Sequence, residues 1–451
     1  MKWTIYLIPV LLLGLFFWSC TQKPVQPEGK IHPDWVKNAV IYELNTRQFS
    51  PEGMFAAAQA ELPRLKELGV DVVWIMPIYP IGELERKGTL GSYYAISDYK
   101  AVNPEFGTLD DFRAFVSESH RLGMKVIIDW VANHTSPDAV WTVNKDWYVL
   151  DSLGDFIVQY DWTDIAKLDY NNPDMREAMI DAMVFWLREA DIDGFRCDVA
   201  GEVPTDFWEE AVVRLQAVDP EVFMLAEAEK PELNEKAFDA YYGWEMHHVM
   251  NLLAKGERRP DSLWTYFKGH DARFPKNAVP MMFTSNHDEN SWNGTEFERM
   301  GDAAKTFAVF TYVIPGMPLI YNGQEAGFDR RLEFFEKDSI DWHDPQGFTP
   351  FYQSLNRLKH SHPALYAGTA EAEFIPLKND RPKQLFSLAR RNGGDRIVAF
   401  FNLSPEPVTA SVQAKELAGN YTDYFEGTSH ELTAKTAVDL APWGYRVYVN
   451  R

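Results

Sequence analysis

The chain has little cysteine and little positive charge. Only two of its 451 residues are Cys, Cys20 and Cys197, so stability has to come from a packed core and not from a disulfide framework. Lys and Arg number 44 against 66 Asp and Glu, a formal charge of −22. That surplus repels phosphate backbones and argues against nucleic acid as a partner. Internal repeats and low-complexity tracts are also missing, which sets aside solenoids and disordered scaffolds. What the chain does have is apolar content, 46% of residues, with 14% aromatics and 15 Trp. Flat rings in a cleft suit the apolar faces of sugars, but large barrels bury many aromatics too, and composition does not choose between the two.

The N-terminus reads as an address. Met1-Lys2 is a short positive start, and the apolar run from Trp3 to Trp18 falls short of the about 20 residues a membrane-spanning helix needs. It ends at Ser19-Cys20 and resembles a bacterial lipoprotein signal, which implies lipidation at Cys20. A plain secretory signal and an uncleaved anchor are the other readings. Residues 21–34 are polar and Pro-rich and read as a tether. The expectation is an exported lipoprotein on the periplasmic or outer face of the cell envelope, touching the membrane by its lipid anchor only. With Cys20 acylated or removed, Cys197 stands alone and no intrachain disulfide forms.

From Val40 onward, short apolar runs alternate with helical periodicity. Val40–Leu44, Asp71–Met76, Lys125–Asp129, the run from Asp193, Val222–Ala226, Val279–Thr284 and Pro318–Tyr321 read as buried strands. Helices are predicted over Phe55–Leu68, ending at Gly69, and from a capping box at Thr108-Leu109-Asp110-Asp111 to Arg121. Two more are predicted over Asp174–Ala190 and Asp206–Ala217. Repeated βα units point to an α/β fold, a (β/α)₈ TIM barrel over residues 35–362 with an insertion at about 134–172 after strand 3. Past His362-Pro363 the pattern changes to short alternating stretches around Asn392-Gly393-Gly394. Residues 363–451 are therefore expected to form a C-terminal antiparallel β-sandwich domain.

Charged residues gather where the predicted strands end. In Asp193-Gly194-Phe195-Arg196-Cys197-Asp198, strand alternation puts Arg196 and Asp198 on one face and Phe195 and Cys197 on the other. Alone, such a pair reads as a structural ion pair before it reads as a charged nucleophile held by its cation. Asp129, Glu227 and Asn286-His287-Asp288 arrive at other strand ends. In a barrel these ends converge on one mouth, where active sites lie.

These motifs, taken in order, resemble the α-amylase superfamily of glycoside hydrolases. The matching segments are Asp129-Trp130-Val131-Ala132-Asn133-His134, Gly194-Phe195-Arg196-Cys197-Asp198, Leu225-Ala226-Glu227 and Asn286-His287-Asp288. Tyr94–Tyr99, Asn103–Gly107 and Gly316–Glu325 support them. The resemblance implies Asp198 as nucleophile, Glu227 as general acid/base and Asp288 as transition-state stabiliser. It also implies sugar contacts for Tyr94, His134 and His287, with Asp129 and Arg196 in the same substrate-binding group. The chemistry is consistent: a retaining glycosidase needs one ionised and one protonated carboxyl about 5 to 5.5 Å apart. Glu227, following an apolar strand and facing two other acids, has the setting of a proton donor. The implied activity is retaining hydrolysis of α-glucosidic bonds in starch-derived glucans or maltodextrins. A transglycosylating enzyme and, from another class, a non-catalytic glycan- or protein-binding barrel are the alternatives. Non-catalytic relatives have lost the carboxylates that this chain keeps.

Two departures from the family matter. Many members bind calcium through Asn133 and an acid in the insertion, but Ala166-Lys167-Leu168-Asp169 puts Lys167 where that acid usually stands. An ammonium opposes a hard dication that wants oxygen ligands, so no cofactor is expected and Asn133 is the sole metal candidate. After the nucleophile, Val199-Ala200-Gly201-Glu202-Val203 looks closer to the neopullulanase and cyclomaltodextrinase branch. Glu202 then becomes a candidate contact to sugars past the cleavage point, with an exposed helix-start acid as the other reading, and α-1,4 against α-1,6 preference stays open. The neighbouring pair His247-His248 is expected to serve packing or surface, because adjacent helix residues do not face one site.

Overall fold

The computed structural model describes residues 29–450. The expected signal, Cys20 and the tether up to residue 28 lie outside the described residues. Eight parallel strands close into a barrel: β1 (Ile41–Leu44), β2 (Val72–Ile75), β3 (Lys125–Trp130), β4 (Gly194–Cys197), β5 (Phe223–Ala226), β6 (Ala240–Tyr242), β7 (Val279–Met282) and β8 (Met317–Tyr321). Each pairs with its neighbours in sequence, and β8 closes on β1.

Strand parity positions the site. Ile41, Val72, Ile127, Phe223, Leu225, Val279 and Met281 form one apolar cluster inside the barrel, whereas Tyr42, Val73, Val126, Ile128, Phe195 and Met224 join the cluster shared with the surrounding helices. Two residues further along the inward-facing set stand Glu43, Trp74, Asp129 and Glu227, and Arg196 is two past the inward Gly194. The charged layer therefore sits directly on the dry column. Register confirms it, with Asp129 paired to Arg196 across β3 and β4, and Arg196 to Leu225 across β4 and β5. Gly194 is required by proximity, since a Cβ there would lie 2.0 Å from the Phe223 carbonyl oxygen. The opposite end is plugged by the 3₁₀ turn Asp34–Asn38, whose Val36 joins the inner cluster while Trp35 packs 5.1 Å from Phe223.

Helices Leu109–Arg121, Pro173–Ala190 and Thr205–Gln216 fall where the periodicity puts them, and the Thr108/Asp111 capping box forms. Two expectations need correction. The run Phe55–Leu68 is two helices, Phe55–Ala60 and Leu62–Leu68, because Pro63 has no N–H to continue the ladder and its ring crowds the preceding turn. Of the eight strands that the barrel requires, β6 alone was not located in the sequence, since three residues are too few to show a period. No helix among the described residues is long and apolar enough to cross a membrane.

Beyond helix Phe348–Ser361 lies a six-stranded antiparallel sheet with a two-stranded ribbon, Val408–Gln413 and Lys435–Leu440, against it. Leu385, Val398 and Phe400 on one sheet face share a core with Val408, Val412 and Val438 of the ribbon. Phe386 and Phe401 on the other face pack against Phe310 of the barrel helix Ala304–Val313 at 5.7 and 5.2 Å.

Candidate active site

Arg196 is the centre of the barrel mouth. It is fully buried, and its Nη1 lies 2.9 Å from Asp129 Oδ1 and 3.0 Å from Asp198 Oδ1. Nη2 lies 2.9 Å from Glu227 Oε2, an ion pair angled too poorly for a hydrogen bond. Nε donates to Tyr242 Oη at 3.1 Å, and the guanidinium sits over the rings of Trp74, Tyr242 and Tyr94 at 5.0, 5.3 and 5.8 Å. Arg196 is therefore shared among three carboxylates and is not a private partner of Asp198. That changes the electrostatics. Burial and the neighbouring Glu227 carboxylate push the Asp198 carboxyl well up, with Arg196 opposing them. Burial also raises Asp129 against the pull of Arg196 and His287.

Glu227 is held by a second donor. The Val199 N–H donates to Glu227 Oε2 at 2.8 Å. Val199 has φ +35° and ψ +45°, a left-handed backbone that is unfavourable for a β-branched residue. Both positive contacts fall on Oε2, which leaves Oε1 as the oxygen free to carry a proton.

A second network lies across the mouth. His287 Nδ1 meets Glu43 Oε1 at 2.5 Å, and its Nε2 meets Tyr94 Oη at 2.8 Å and Asp288 Oδ2 at 3.4 Å. Against burial, which favours the neutral ring, Asp288 and Glu43 push His287 up to about 9. Tyr94 Oη also donates to Asp129 Oδ2 at 3.1 Å, and its ring stacks on His287 at 5.5 Å. Asn286 Oδ1 accepts from Glu289 N–H at 2.8 Å and shapes the turn that carries the partly open Asp288. Burial pushes His134 down to about 3, so its ring is neutral, and its Nδ1 lies 3.1 Å from Asn133 Nδ2.

Asp198, Glu227, Asp288, Tyr94, His134 and His287 line one cavity of about 470 Å³. Asp129 and Arg196 lie beneath it. Glu202 does not line it; its carboxylate accepts from Gln159 Nε2 at 3.1 Å and Tyr160 Oη at 3.2 Å, with Lys167 Nζ at 3.9 Å. Asn133 Nδ2 donates to Gln159 Oε1 at 2.8 Å, so amide and ammonium hydrogens occupy the ground where a cation would need oxygens. Among the described residues no group of three or more His, Cys, Asp or Glu is arranged to hold a metal ion. Of the pair His247-His248, His247 is buried against Asn251 and Arg299, and neither reaches the cavity. Sequence reading missed Glu43, Trp74 and Tyr242, and also the aromatic wall of Phe334, Phe335 and Trp292 that faces Tyr94. An acid at the inward position of β1 was the available signal for Glu43.

A closed parallel barrel with paired carboxylates at its mouth, open to a cavity and grouped on one arginine, fits an enzyme acting on glycosidic bonds. The catalytic domain of the α-amylase family matches residues 52–146 and 142–364, and the chain belongs to that family of glycoside hydrolases. An α-amylase of Lactobacillus plantarum superposes with a TM-score of 0.83 at 33% identity, over 92% of this chain and 99% of that one. The α-amylase MalA of Haloarcula japonica is 29% identical over 403 residues, 85% of this chain, which spans only 58% of that protein's length. Neopullulanase 2 of Thermoactinomyces vulgaris is 26% identical over 86% of this chain and 73% of its own length.

Proposed function

We propose that the protein hydrolyses α-glucosidic bonds in starch-derived glucans or maltodextrins with retention of configuration. The observation that carries this reading is the pair Asp198 and Glu227, both facing the cavity and both held by Arg196. Retaining hydrolysis needs one proton between the two carboxyls. With that proton on Glu227 Oε1, Asp198 keeps the charge. Its Oδ1 stays on Arg196 and Oδ2 attacks the anomeric carbon as the glycosidic C–O bond breaks. The proton passes from Oε1 to the departing oxygen. Glu227 then takes a proton from water, whose oxygen attacks the same carbon and releases Asp198. Asp288 and the charged His287 bind the hydroxyls of the reacting sugar, and Tyr94 supplies the ring against which it packs.

The segment Ala200-Gly201-Glu202 and the likeness to a neopullulanase favour a second reading, with pullulan or cyclodextrins as substrates. Starch, pullulan and cyclodextrin assayed side by side test both. Retained glucan binding with no reducing sugar from any of the three defeats the hydrolase and leaves a binding barrel. Chromatography of maltoheptaose products separates hydrolysis from transfer to a second sugar. No calcium is needed in this reading, since the Lys167 ammonium and the Asn133–Gln159–Glu202 chain link the insertion to the nucleophile loop. The N-terminal run ending at Cys20 supports an exported lipoprotein. Cys20→Ala moves such a protein from the membrane to the soluble fraction, and unchanged fractionation refutes the anchor.

A further inference from the structure

The assignment of Glu227 as proton donor, proposed above, gives the cavity a direction. The leaving group departs on the donor's side, at the end of β5. The sugar under attack, and any chain beyond it toward the non-reducing end, runs the other way, toward the loops after β1, β2 and β8. On that side the loop of residues 81–92, after β2, spans the mouth from wall to wall. On the insertion wall, Asp138 Oδ2 accepts from the Glu83 and Leu84 N–H groups at 2.7 and 2.9 Å. Lys87 Nζ lies 3.1 Å from the buried Asp164 Oδ1 and 3.4 Å from the Asp161 carbonyl oxygen.

The β8 wall holds the same loop from the other end. The Thr89 N–H donates to Glu336 Oε1 at 2.9 Å and the Leu90 N–H to the Phe335 carbonyl at 3.0 Å. The buried Arg47 donates to the Leu90 and Gly91 carbonyls at 3.2 and 3.1 Å. Gly88 has φ +62°, and a Cβ on it would lie 2.5 Å from Phe335 Cβ, so the loop presses directly on that wall. Lys87, Asp161, Asp164 and Phe335 line the same cavity as Tyr94 and His287. A chain cannot pass a strap bonded at both ends, and an internal bond of a long glucan reaches Asp198 only if the chain passes.

We infer that this bridge is a stop for the non-reducing end of the glucan, so that the enzyme works from chain ends and does not cut within chains. The test uses an aryl maltoheptaoside with a free non-reducing end and the same compound with that end blocked by a ketal on O4 and O6. The wild type is expected to cleave the free compound about tenfold or more faster than the blocked one, as steric exclusion from a fitted pocket requires. Lys87→Ala combined with Asp138→Ala removes the side-chain bonds that hold the strap to the insertion wall and is expected to raise the blocked-to-free ratio by about tenfold. A merely structural role for the two residues lowers both rates together and leaves the ratio alone. Equal cleavage of both compounds by the wild type overturns the stop while the hydrolase reading stands. An unchanged ratio in the folded variant overturns its assignment to Lys87 and Asp138. No cleavage of the free compound overturns the hydrolase reading itself.

Discussion

Replacing Arg196 by Met, which fills similar space without charge, tests the electrostatics of the site most directly. Arg196 is fully buried and lies within 3.0 Å of Asp129, Asp198 and Glu227. Removing one partner of a buried ion pair costs about 3–5 kcal/mol, because the remaining charge is stranded. Here three carboxylates lose one cation, and Asp129 and Asp198 lose the charge that holds their carboxyls down. Burial already pushes Asp129 and Asp198 upward with Arg196 opposing, so in the variant both rise further above their unfolded values. A carboxyl whose folded pKa is raised stabilises the fold below its unfolded pKa and loses that contribution as pH climbs through the folded one. The deficit of Arg196→Met is therefore expected to be small near pH 4 and to approach about 3–5 kcal/mol by pH 7.5. Urea unfolding followed by tryptophan fluorescence at both pH values measures it. Turnover of maltodextrin at pH 7 is expected to fall with it, because without the cation Asp198 gives up its proton less readily. Equal stability of variant and wild type at pH 7.5 would refute the shared-cation account.

Asp198→Asn and Glu227→Gln are each expected to lower maltodextrin turnover by about 10²-fold or more while leaving circular dichroism unchanged; wild-type rates from either remove it from the mechanism. Glu227→Gln should lose far less on an aryl glycoside whose leaving group needs no proton. His287, pushed up to about 9 by Asp288 and Glu43 against burial, contributes stability that is fully present below its unfolded value and lost as pH rises through about 9. Glu43→Gln should move the alkaline limb of activity to lower pH, and an unmoved limb argues against a charged His287. Dialysis against EDTA should leave the melting temperature unchanged; a marked drop that calcium reverses would show that Lys167 does not exclude the cation.

The parity of inward-facing residues was legible because strand geometry fixes it locally. Asp129, Arg196 and Glu227 follow from their strands alone. The inward position of Glu43 was legible by the same rule, but its role was not, since that comes from His287, 244 residues away. Glu202 sits at the expected loop start, but Gln159, Tyr160 and Lys167 turn it to the insertion, and no spacing rule encodes those contacts. The division of Arg196 among three acids is likewise a product of barrel closure, which brings β3, β4 and β5 to one axis. Phe55–Leu68 failed for a local reason that Pro63 announced.

Val199 joins Asp198 to Glu227 through a backbone that a valine adopts only at a cost of order 1–3 kcal/mol. The residue before it is anchored by the Asp198 N–H to the Trp130 carbonyl, and the residue after it by Trp208 Nε1 to the Ala200 carbonyl. Between these anchors the peptide that carries Asp198 also aims the N–H that fixes Glu227. Asp198 and Glu227 are thus mechanically one part. A relaxation of Val199 to an extended conformation would swing that N–H away from Glu227 and displace Asp198 in the same motion. Such a rotation would uncouple the two carboxyls while leaving the barrel around them intact.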